Sequence, residues 1–175
     1  MTGVVLRVNV SDGGVPKTPI AAGVITEEGF YGDRQDDLRV HGGPNRAVCL
    51  FSFEVLERFS QEGHPIAPGC TGENLTIAEI DWTLVEPGVV LLIGARVVLE
   101  VTNYTEPCSK NARWFIDGDY NRMNEALHPG ESRVYARVIT GGEVRRGDRV
   151  ELILNDGPNR ALRPVKTYRW PDDFR

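Results

Sequence analysis

Three polar, glycine-bearing segments of this sequence, two of which also contain an arginine, suit the binding of an anion. They are residues 29–34, 40–48 and 69–75. Glycine lets backbone N–H groups approach an anion closely, and the arginine guanidinium is a planar cation that matches phosphate. Arg34, Arg46 and the loop glycines are therefore candidates for a phosphate or pterin cradle. The alternative, which composition alone favours, is that the glycines only satisfy turn dihedrals and that Asp33 pairs with a neighbouring arginine.

Cys108 lies in the segment Tyr104-Thr-Glu-Pro-Cys-Ser-Lys110, where its thiol could be reactive. It follows a predicted strand, with Thr105 three residues before it and Lys110 two residues after it. An exposed, electropositive position of this kind favours the thiolate, which binds soft metals or carries sulfur. The alternative is an inert loop cysteine.

Four further residues have a structural interpretation beside a functional one. Cys49 lies inside an apolar strand and is predicted to be a small core residue, whereas Cys70 could line the same cleft as the glycine turns but receives no role. His41 has no HxH or HxxxH partner, so we expect it to orient the glycine loop rather than bind a metal. Arg133 either adds positive charge to a pocket or forms a surface pair with Glu131.

Composition limits the classes of partner and compartment. The 175 residues contain 20 Lys and Arg against 25 Asp and Glu, and the net charge of −5 makes nucleic acid and an anionic membrane unexpected partners. The 3 cysteines are an odd number and no two of them lie at a motif spacing, so neither a disulfide framework nor a CxxC zinc site is predicted. We expect a cytoplasmic protein, because the N-terminus lacks a signal-peptide pattern and no aliphatic run is long enough to span a bilayer.

The predicted fold is mostly β: a closed or partly open antiparallel β-barrel with one or two inserted short helices. The 19 glycines and 11 prolines indicate many turns between short strands. Strands are predicted at residues 4–10, 23–25, 47–51, 74–77, 133–140 and 150–154, with a hairpin that joins 89–93 to 96–101. Ser52 should cap a helix that ends near Glu62, and a second helical stretch is predicted at 119–127. Residues 1–154 would form one domain, with 155–175 as an extension packed on it or partly disordered.

Taken in order, five segments resemble the MOSC family, which is named after the C-terminal domain of molybdenum cofactor sulfurase. They are Gly32-Asp-Arg34, Val40-His-Gly-Gly-Pro-Asn-Arg-Ala-Val48, Gly72-Glu-Asn-Leu75, Thr105-Glu-Pro-Cys108 and Arg137-Val-Ile-Thr-Gly-Gly-Glu-Val-Arg-Arg-Gly-Asp148. The resemblance extends over roughly residues 4–154 and is strongest to the small single-domain bacterial members.

The resemblance implies a β-barrel around a pocket for a molybdopterin-type molybdenum cofactor. It implies that Cys108 is the family cysteine, which either ligates molybdenum or carries sulfur as a persulfide, and that Thr105 lies beside it. Loop residues would hold the pterin and its phosphate; with the cations singled out above, the expected cofactor-binding set is Arg34, His41, Gly42, Gly43, Arg46, Gly72, Glu73, Asn74, Thr105, Lys110 and Arg133.

Three functional hypotheses follow from the resemblance. The favoured one is a molybdenum-dependent reductase of N-hydroxylated compounds, which needs a separate electron-donor protein. The second is a sulfur carrier whose Cys108 persulfide comes from a separate cysteine desulfurase; pyridoxal phosphate would belong to that enzyme and is not expected in this chain. The third is a non-catalytic carrier of the cofactor.

Overall fold

The computed structural model describes residues 1–34 and 43–154. Its strands are β1 (Thr2–Val10), β2 (Thr18–Ile20), β3 (Ala22–Thr26), β4 (Gly29–Phe30), β5 (Val48–Ser52), β6 (Leu75–Ala78), β7 (Val90–Ile93), β8 (Val97–Tyr104), β9 (Val134–Thr140), β10 (Gly142–Arg145) and β11 (Arg149–Ile153). The α-helix, α1, spans Phe53–Gln61, and short 3-10 helices occupy Pro44–Arg46, Trp82–Leu84, Ser109–Trp114, Ile116–Gly118 and Tyr120–Met123.

Seven strands close into a barrel, which confirms the predicted fold class. Their order is β11, β7, β8, β9, β5, β6 and β1, and β1 pairs again with β11 to close the ring. Closure leaves no exposed barrel edge, which would otherwise be open to pairing with another chain. One pair, β5 with β6, is parallel rather than antiparallel. A parallel pair needs a crossover connection, and α1 lies in that connection.

The barrel core is filled by aliphatic and aromatic side chains from the strands, and a register shift between Val5 and Arg7 of β1 places Val5 and Val8 both in it. Val5 and Val8 of β1, Leu50 of β5 and Leu99 of β8 are fully buried. At about 25 cal/mol per Å² of apolar surface removed from water, these side chains supply the main driving force for closing the barrel. A smaller sheet of β10, β3 and β4 stands apart in the pairing scheme.

The helix α1 begins as the sequence predicts. Ser52 is its N-cap, and the Ser52 hydroxyl accepts a hydrogen bond from the Val55 backbone N–H at 3.3 Å. The predicted apolar stripe of Val55, Leu56 and Phe59 is buried. Gly63 follows the helix with φ +95°, a conformation that a glycine adopts without a Cβ clash.

Arg122 attaches the segment between β8 and β9 to α1. Its guanidinium bonds to Glu62 at 2.7 Å and to Glu131, and it lies 4.6 Å from the centroid of the Phe59 ring. A cation over an aromatic ring adds to the ion pairs. The segment that follows Cys108 is therefore held against the barrel at a fixed place.

The predicted helix at 119–127 is wrong. Only Tyr120–Met123 is helical there, as a 3-10 turn. Asn124 explains the stop, because its side-chain oxygen accepts a hydrogen bond from the Ala126 N–H at 2.9 Å, and this local turn competes with a helix.

Strands β2, β4 and β10 are not predicted from the sequence. The expected extension at 155–175 lies outside the described residues, and no helix within 1–34 and 43–154 is long and apolar enough to cross a membrane.

Candidate functional site

The register of the barrel brings several strand ends together at one end of the molecule. Val8, near the end of β1, pairs with Leu75 at the start of β6. Leu75 pairs with Leu50 of β5, and Leu50 with Val134 at the start of β9. Val134 in turn pairs with Tyr104 at the end of β8. The loops that enter or leave these strands must therefore meet, although they are far apart in sequence.

A pocket open to solvent, with about 660 Å³ of empty space, lies among these loops. It is lined by Gly14, Val15, Lys17, Arg34, Arg46, Cys49, Thr71, Gly72, Asn74, Cys108, Lys110, Asn111, Arg133 and Tyr135. Five of these described lining residues are Lys or Arg and none is Asp or Glu. The pocket is thus electropositive within a chain of net charge −5. Convergent cations with few competing carboxylates are suited to an anionic ligand.

Cys108 is half-buried in the pocket wall. It precedes the 3-10 helix Ser109–Trp114 in extended conformation, and its carbonyl accepts a hydrogen bond from the Asn111 N–H at 2.9 Å. This bond fixes the backbone that follows the thiol. A thiol held at the edge of a pocket is accessible to a ligand, unlike one within a strand.

Cys49 also lines the pocket, but its thiol is buried in the wall as the sequence predicts. Burial raises the pKa of the Cys49 thiol to about 11, although the nearby Arg133 works in the opposite direction. Tyr135 is the cross-strand partner of Cys49, and burial raises the pKa of its hydroxyl to about 12. The guanidinium of Arg46 lies 5.7 Å from the Tyr135 ring centroid. Both groups therefore keep their protons at neutral pH.

Arg133 is a pocket residue and not a surface ion pair. It is 5% exposed, and its guanidinium donates to the carbonyl of Thr71. Glu131 bonds instead to Arg58, at 2.5 Å, and to Arg122. This resolves the two interpretations of Arg133 in favour of added positive charge in the pocket.

A buried ion pair supports the pocket beside the turn that carries Asn74. The carboxylate of Asp33 pairs with Lys17 and accepts hydrogen bonds from the Asn74 side-chain amide and the Ser11 N–H, both at 2.8 Å. Asp33 therefore pairs with a lysine and not with the neighbouring Arg34. The Arg34 side chain is 74% exposed and lies 3.9 Å from a carboxylate oxygen of an exposed aspartate, Asp12.

Glu73 organises the turn that presents Gly72. Its buried carboxylate accepts hydrogen bonds from the Gly69 N–H at 2.5 Å and the Thr71 hydroxyl at 2.8 Å. Gly72 has φ +92°, and a Cβ added there would lie 2.8 Å from Cγ1 of Val15. Glycine is therefore the residue that adopts this turn beside Val15 without strain.

The predicted site residues divide into three groups. Those that line the pocket are Arg34, Arg46, Gly72, Asn74, Cys108, Lys110 and Arg133. Gly43, Glu73 and Thr105 do not line it, whereas His41 and Gly42 lie outside the described residues. Cys70, which was considered for the same cleft, is buried elsewhere in the core.

Thr105 does not line the pocket but contacts a residue that does. Its backbone N–H donates to the carbonyl of Arg133 at 3.0 Å, which ties the Cys108 loop to the start of β9. The Thr105 hydroxyl is buried and has no hydrogen-bond partner in the part of the chain that the structure describes. Thr105 thus holds the backbone of Arg133, which does line the pocket.

Sequence reasoning did not identify Gly14, Val15, Lys17, Thr71, Asn111 and Tyr135 as pocket residues, and it placed Cys49 only in the core. Tyr135 could be found only through its pairing with Cys49, and Lys17 only through the buried Asp33. For Asn111 the sequence offers one signal, its position three residues after Cys108. Among the described residues, no group of three or more His, Cys, Asp or Glu side chains could hold a metal ion.

Comparison with known proteins places the barrel and its loops in a family. The chain is 33% identical to YflK of Bacillus subtilis (strain 168) over 80% of its length and 63% of that protein, and 27% identical to YiiM of Escherichia coli (strain K12) over 74% and 58%. It thus spans about three fifths of the length of these two relatives. The crystal structure of YuaD from Bacillus subtilis superposes with a TM-score of 0.69 at 18% identity, covering 87% of this chain and 96% of that one, and shows the same fold. The MOSC domain model matches residues 37–151, most of the barrel and its pocket loops, and the chain belongs to the MOSC domain family.

Proposed function

We propose that the pocket binds a molybdopterin-type molybdenum cofactor and that the protein reduces N-hydroxylated compounds. The observation that carries this proposal is the half-buried thiol of Cys108 beside five cationic side chains in one pocket. A thiolate is a soft ligand suited to molybdenum, and clustered cations suit the phosphate of a pterin cofactor. The MOSC family is associated with this cofactor in general.

The residues present fit such a group. Arg133 is buried with its Nε hydrogen unpaired among the described residues, so it retains a donor for a ligand oxygen. Gly72 lines the pocket at φ +92°, a conformation that keeps its turn free of a Cβ beside Val15.

In this proposal each pocket residue has one task. Cys108 supplies the thiolate that ligates molybdenum, which when bound would provide the redox chemistry. Arg46, Lys110 and Arg133 hold the anionic part of the cofactor. Cys49 keeps its proton because burial raises its pKa to about 11, so it does not compete with Cys108 as a thiolate.

The proposal includes two kinds of partner besides the cofactor. The substrate is a small N-hydroxylated molecule that enters through the solvent-facing side of the pocket. Electrons come from a separate electron-donor protein, since the sequence contains no recognisable flavin or iron–sulfur motif. Nucleic acid and membranes are not proposed as partners, and a cytoplasmic location remains part of the proposal.

The test is the molybdenum content of protein produced in a host that makes the cofactor. We expect near-stoichiometric metal in the wild type and its loss in Cys108→Ala. Cys70→Ala is the matched control, because it removes a thiol that lies in the core and outside the pocket lining. Metal in the wild type and control, followed by turnover of an N-hydroxylated compound with an electron donor, would support the reductase. Equal metal in Cys108→Ala and the wild type would refute Cys108 as the ligand.

The accessibility of Cys108 also supports a second candidate, a sulfur carrier. A half-buried thiol at a pocket edge can be reached by a separate cysteine desulfurase, whereas Cys49 cannot. Metal-free wild-type protein whose Cys108 peptide gains the mass of one sulfur atom would favour this function over the reductase. A non-catalytic cofactor carrier would instead retain cofactor in Cys108→Ser with little loss, because the cations would dominate binding.

A further inference from the structure

Two buried polar atoms in the pocket wall have no hydrogen-bond partner within residues 1–34 and 43–154. One is the side-chain oxygen of Asn111, a residue that is 2% exposed. The other is the Nε of Arg133, a residue that is 5% exposed. Asn111 offers an acceptor and Arg133 a donor, and both residues line the pocket. Native proteins leave few such groups unpaired, because each loses its hydrogen bonds to water without gaining others.

Both residues are held in place by their backbones, so their unpaired atoms are not products of a loose loop. The N–H of Asn111 donates to the Cys108 carbonyl at 2.9 Å. The carbonyl of Arg133 accepts from the Thr105 N–H at 3.0 Å, and its guanidinium donates to the Thr71 carbonyl. A ligand would thus meet a preorganised acceptor and donor, which lowers the entropic cost of binding.

The acceptor on Asn111 is unexpected in a pocket that otherwise presents cations. Arg34, Arg46, Lys110 and Arg133 attract oxyanions of any kind and cannot distinguish one from another by charge alone, whereas the charge of Lys17 is paired with Asp33. An amide oxygen repels an anionic oxygen but accepts a hydrogen bond from an O–H group. It therefore distinguishes an oxyanion that carries a proton from one that does not.

We propose that Asn111 is a specificity-determining residue, which accepts a hydrogen bond from a protonated phosphate monoester while Arg133 donates to another of its oxygens. The pocket should consequently prefer a phosphate monoester monoanion to the corresponding sulfate ester, which has the same charge and shape but no O–H. This inference rests on the proposed function only in requiring that the pocket bind an anionic ligand. It does not require molybdenum.

The test compares phenyl phosphate with phenyl sulfate by isothermal titration calorimetry. The protein is the full chain, purified from a host that does not make the molybdenum cofactor. At about pH 5.5 most of the phosphate ester is a monoanion with one O–H, because its second pKa is about 6. One neutral hydrogen bond predicts that wild type binds phenyl phosphate about five- to tenfold more tightly than phenyl sulfate.

Three variants test whether the Asn111 side chain causes that preference. Asn111→Leu removes the acceptor at similar volume, and the two esters should then bind with equal affinity. Asn111→Asp retains an acceptor, so it should keep the preference even though both affinities fall. Asn121→Leu is the matched control, since Asn121 is exposed and outside the pocket, and it should behave as the wild type. Circular dichroism verifies that each variant is folded, and Asn111→Asp tests the inference alone if Asn111→Leu does not fold.

Equal affinities in the wild type would overturn the inference, as would a preference that survives in Asn111→Leu or is lost in Asn111→Asp. Failure of both esters to bind would overturn it as well, because the pocket would not be an oxyanion site. Inorganic phosphate, tested in parallel, separates recognition of the free ion from recognition of an ester. Molybdenum retention is measured separately, on protein from a host that makes the cofactor. Absence of metal there, together with the ester preference here, would contradict only the proposed function.

Discussion

The buried thiol of Cys49 should make the stability of the barrel depend on alkaline pH. Its pKa is raised from 9.0 to about 11 in the folded protein, because burial disfavours the thiolate. Between these values the unfolded chain loses the proton while the folded chain keeps it, so the free energy of unfolding must fall as the pH rises. The linkage between proton binding and folding lowers the free energy of unfolding by about 1.4 kcal/mol at about pH 10 and by almost nothing at about pH 8.

Urea unfolding at these two pH values measures this effect in the wild type and in Cys49→Ala. The variant has its own loss of packing, but that loss is nearly the same at both pH values and cancels in the difference. Tyr135, whose pKa is raised to about 12, titrates in both proteins and largely cancels too. We expect the stability of the wild type to fall by about 1.4 kcal/mol more than that of Cys49→Ala. An equal fall in the two proteins would refute the reasoning, since Cys49 would not hold its proton through burial.

Two further predictions concern the support of the pocket and of α1. Gly69→Ala should destabilise the fold by about 2 kcal/mol more than Gly147→Ala in thermal or urea unfolding. Both positions have positive φ, but a Cβ at Gly69 would lie 2.4 Å from the Lys17 carbonyl oxygen, whereas one at Gly147 meets nothing within 4 Å; equal losses would contradict the clash. The hydrogen bond from Arg122 lowers the pKa of Glu62 below its ordinary 4.5, so the stabilisation from this pair is present above that pH and is lost as the pH falls through the lowered value. Glu62→Gln should therefore flatten the acid side of the stability profile, by less than about 1 kcal/mol because the pair is partly exposed, and an unchanged profile would contradict the assignment.

The fold was predictable where local signals and long periodic patterns agree. Ser52 caps α1 and its apolar stripe is buried, because capping and helical period are properties of neighbouring residues. The hairpin of β7 and β8 forms with Ile93 opposite Val97, as the two apolar runs and the Gly94 turn between them indicate. By contrast, β2 and β4 have 3 and 2 residues, too few to show a period, and they exist because of partners elsewhere in the chain.

The candidate site was predictable in its chemistry but not in its full membership. Cys108, Arg46 and Gly72 stand out by residue type and all line the pocket, although their binding roles stay predictions. Tyr135 and Lys17 carry no local signal, because the barrel register and a buried ion pair determine their positions. A residue placed by long-range pairing cannot be found from its neighbours in sequence.

Barrel closure has a consequence for the order of events when the chain folds. The last contact in the ring pairs Thr2 with Glu151, almost the whole domain apart in sequence. Closing so long a loop has a high entropic cost before any contact offsets it, and folds dominated by non-local pairs form slowly. The pocket residues lie in or beside four connections, β1 to β2, β4 to β5, α1 to β6 and β8 to β9, and span residues 14–135. The barrel that holds these connections together closes only when β11 pairs with β1, so a bound ligand would stabilise the closed barrel over a chain in which that pair is open.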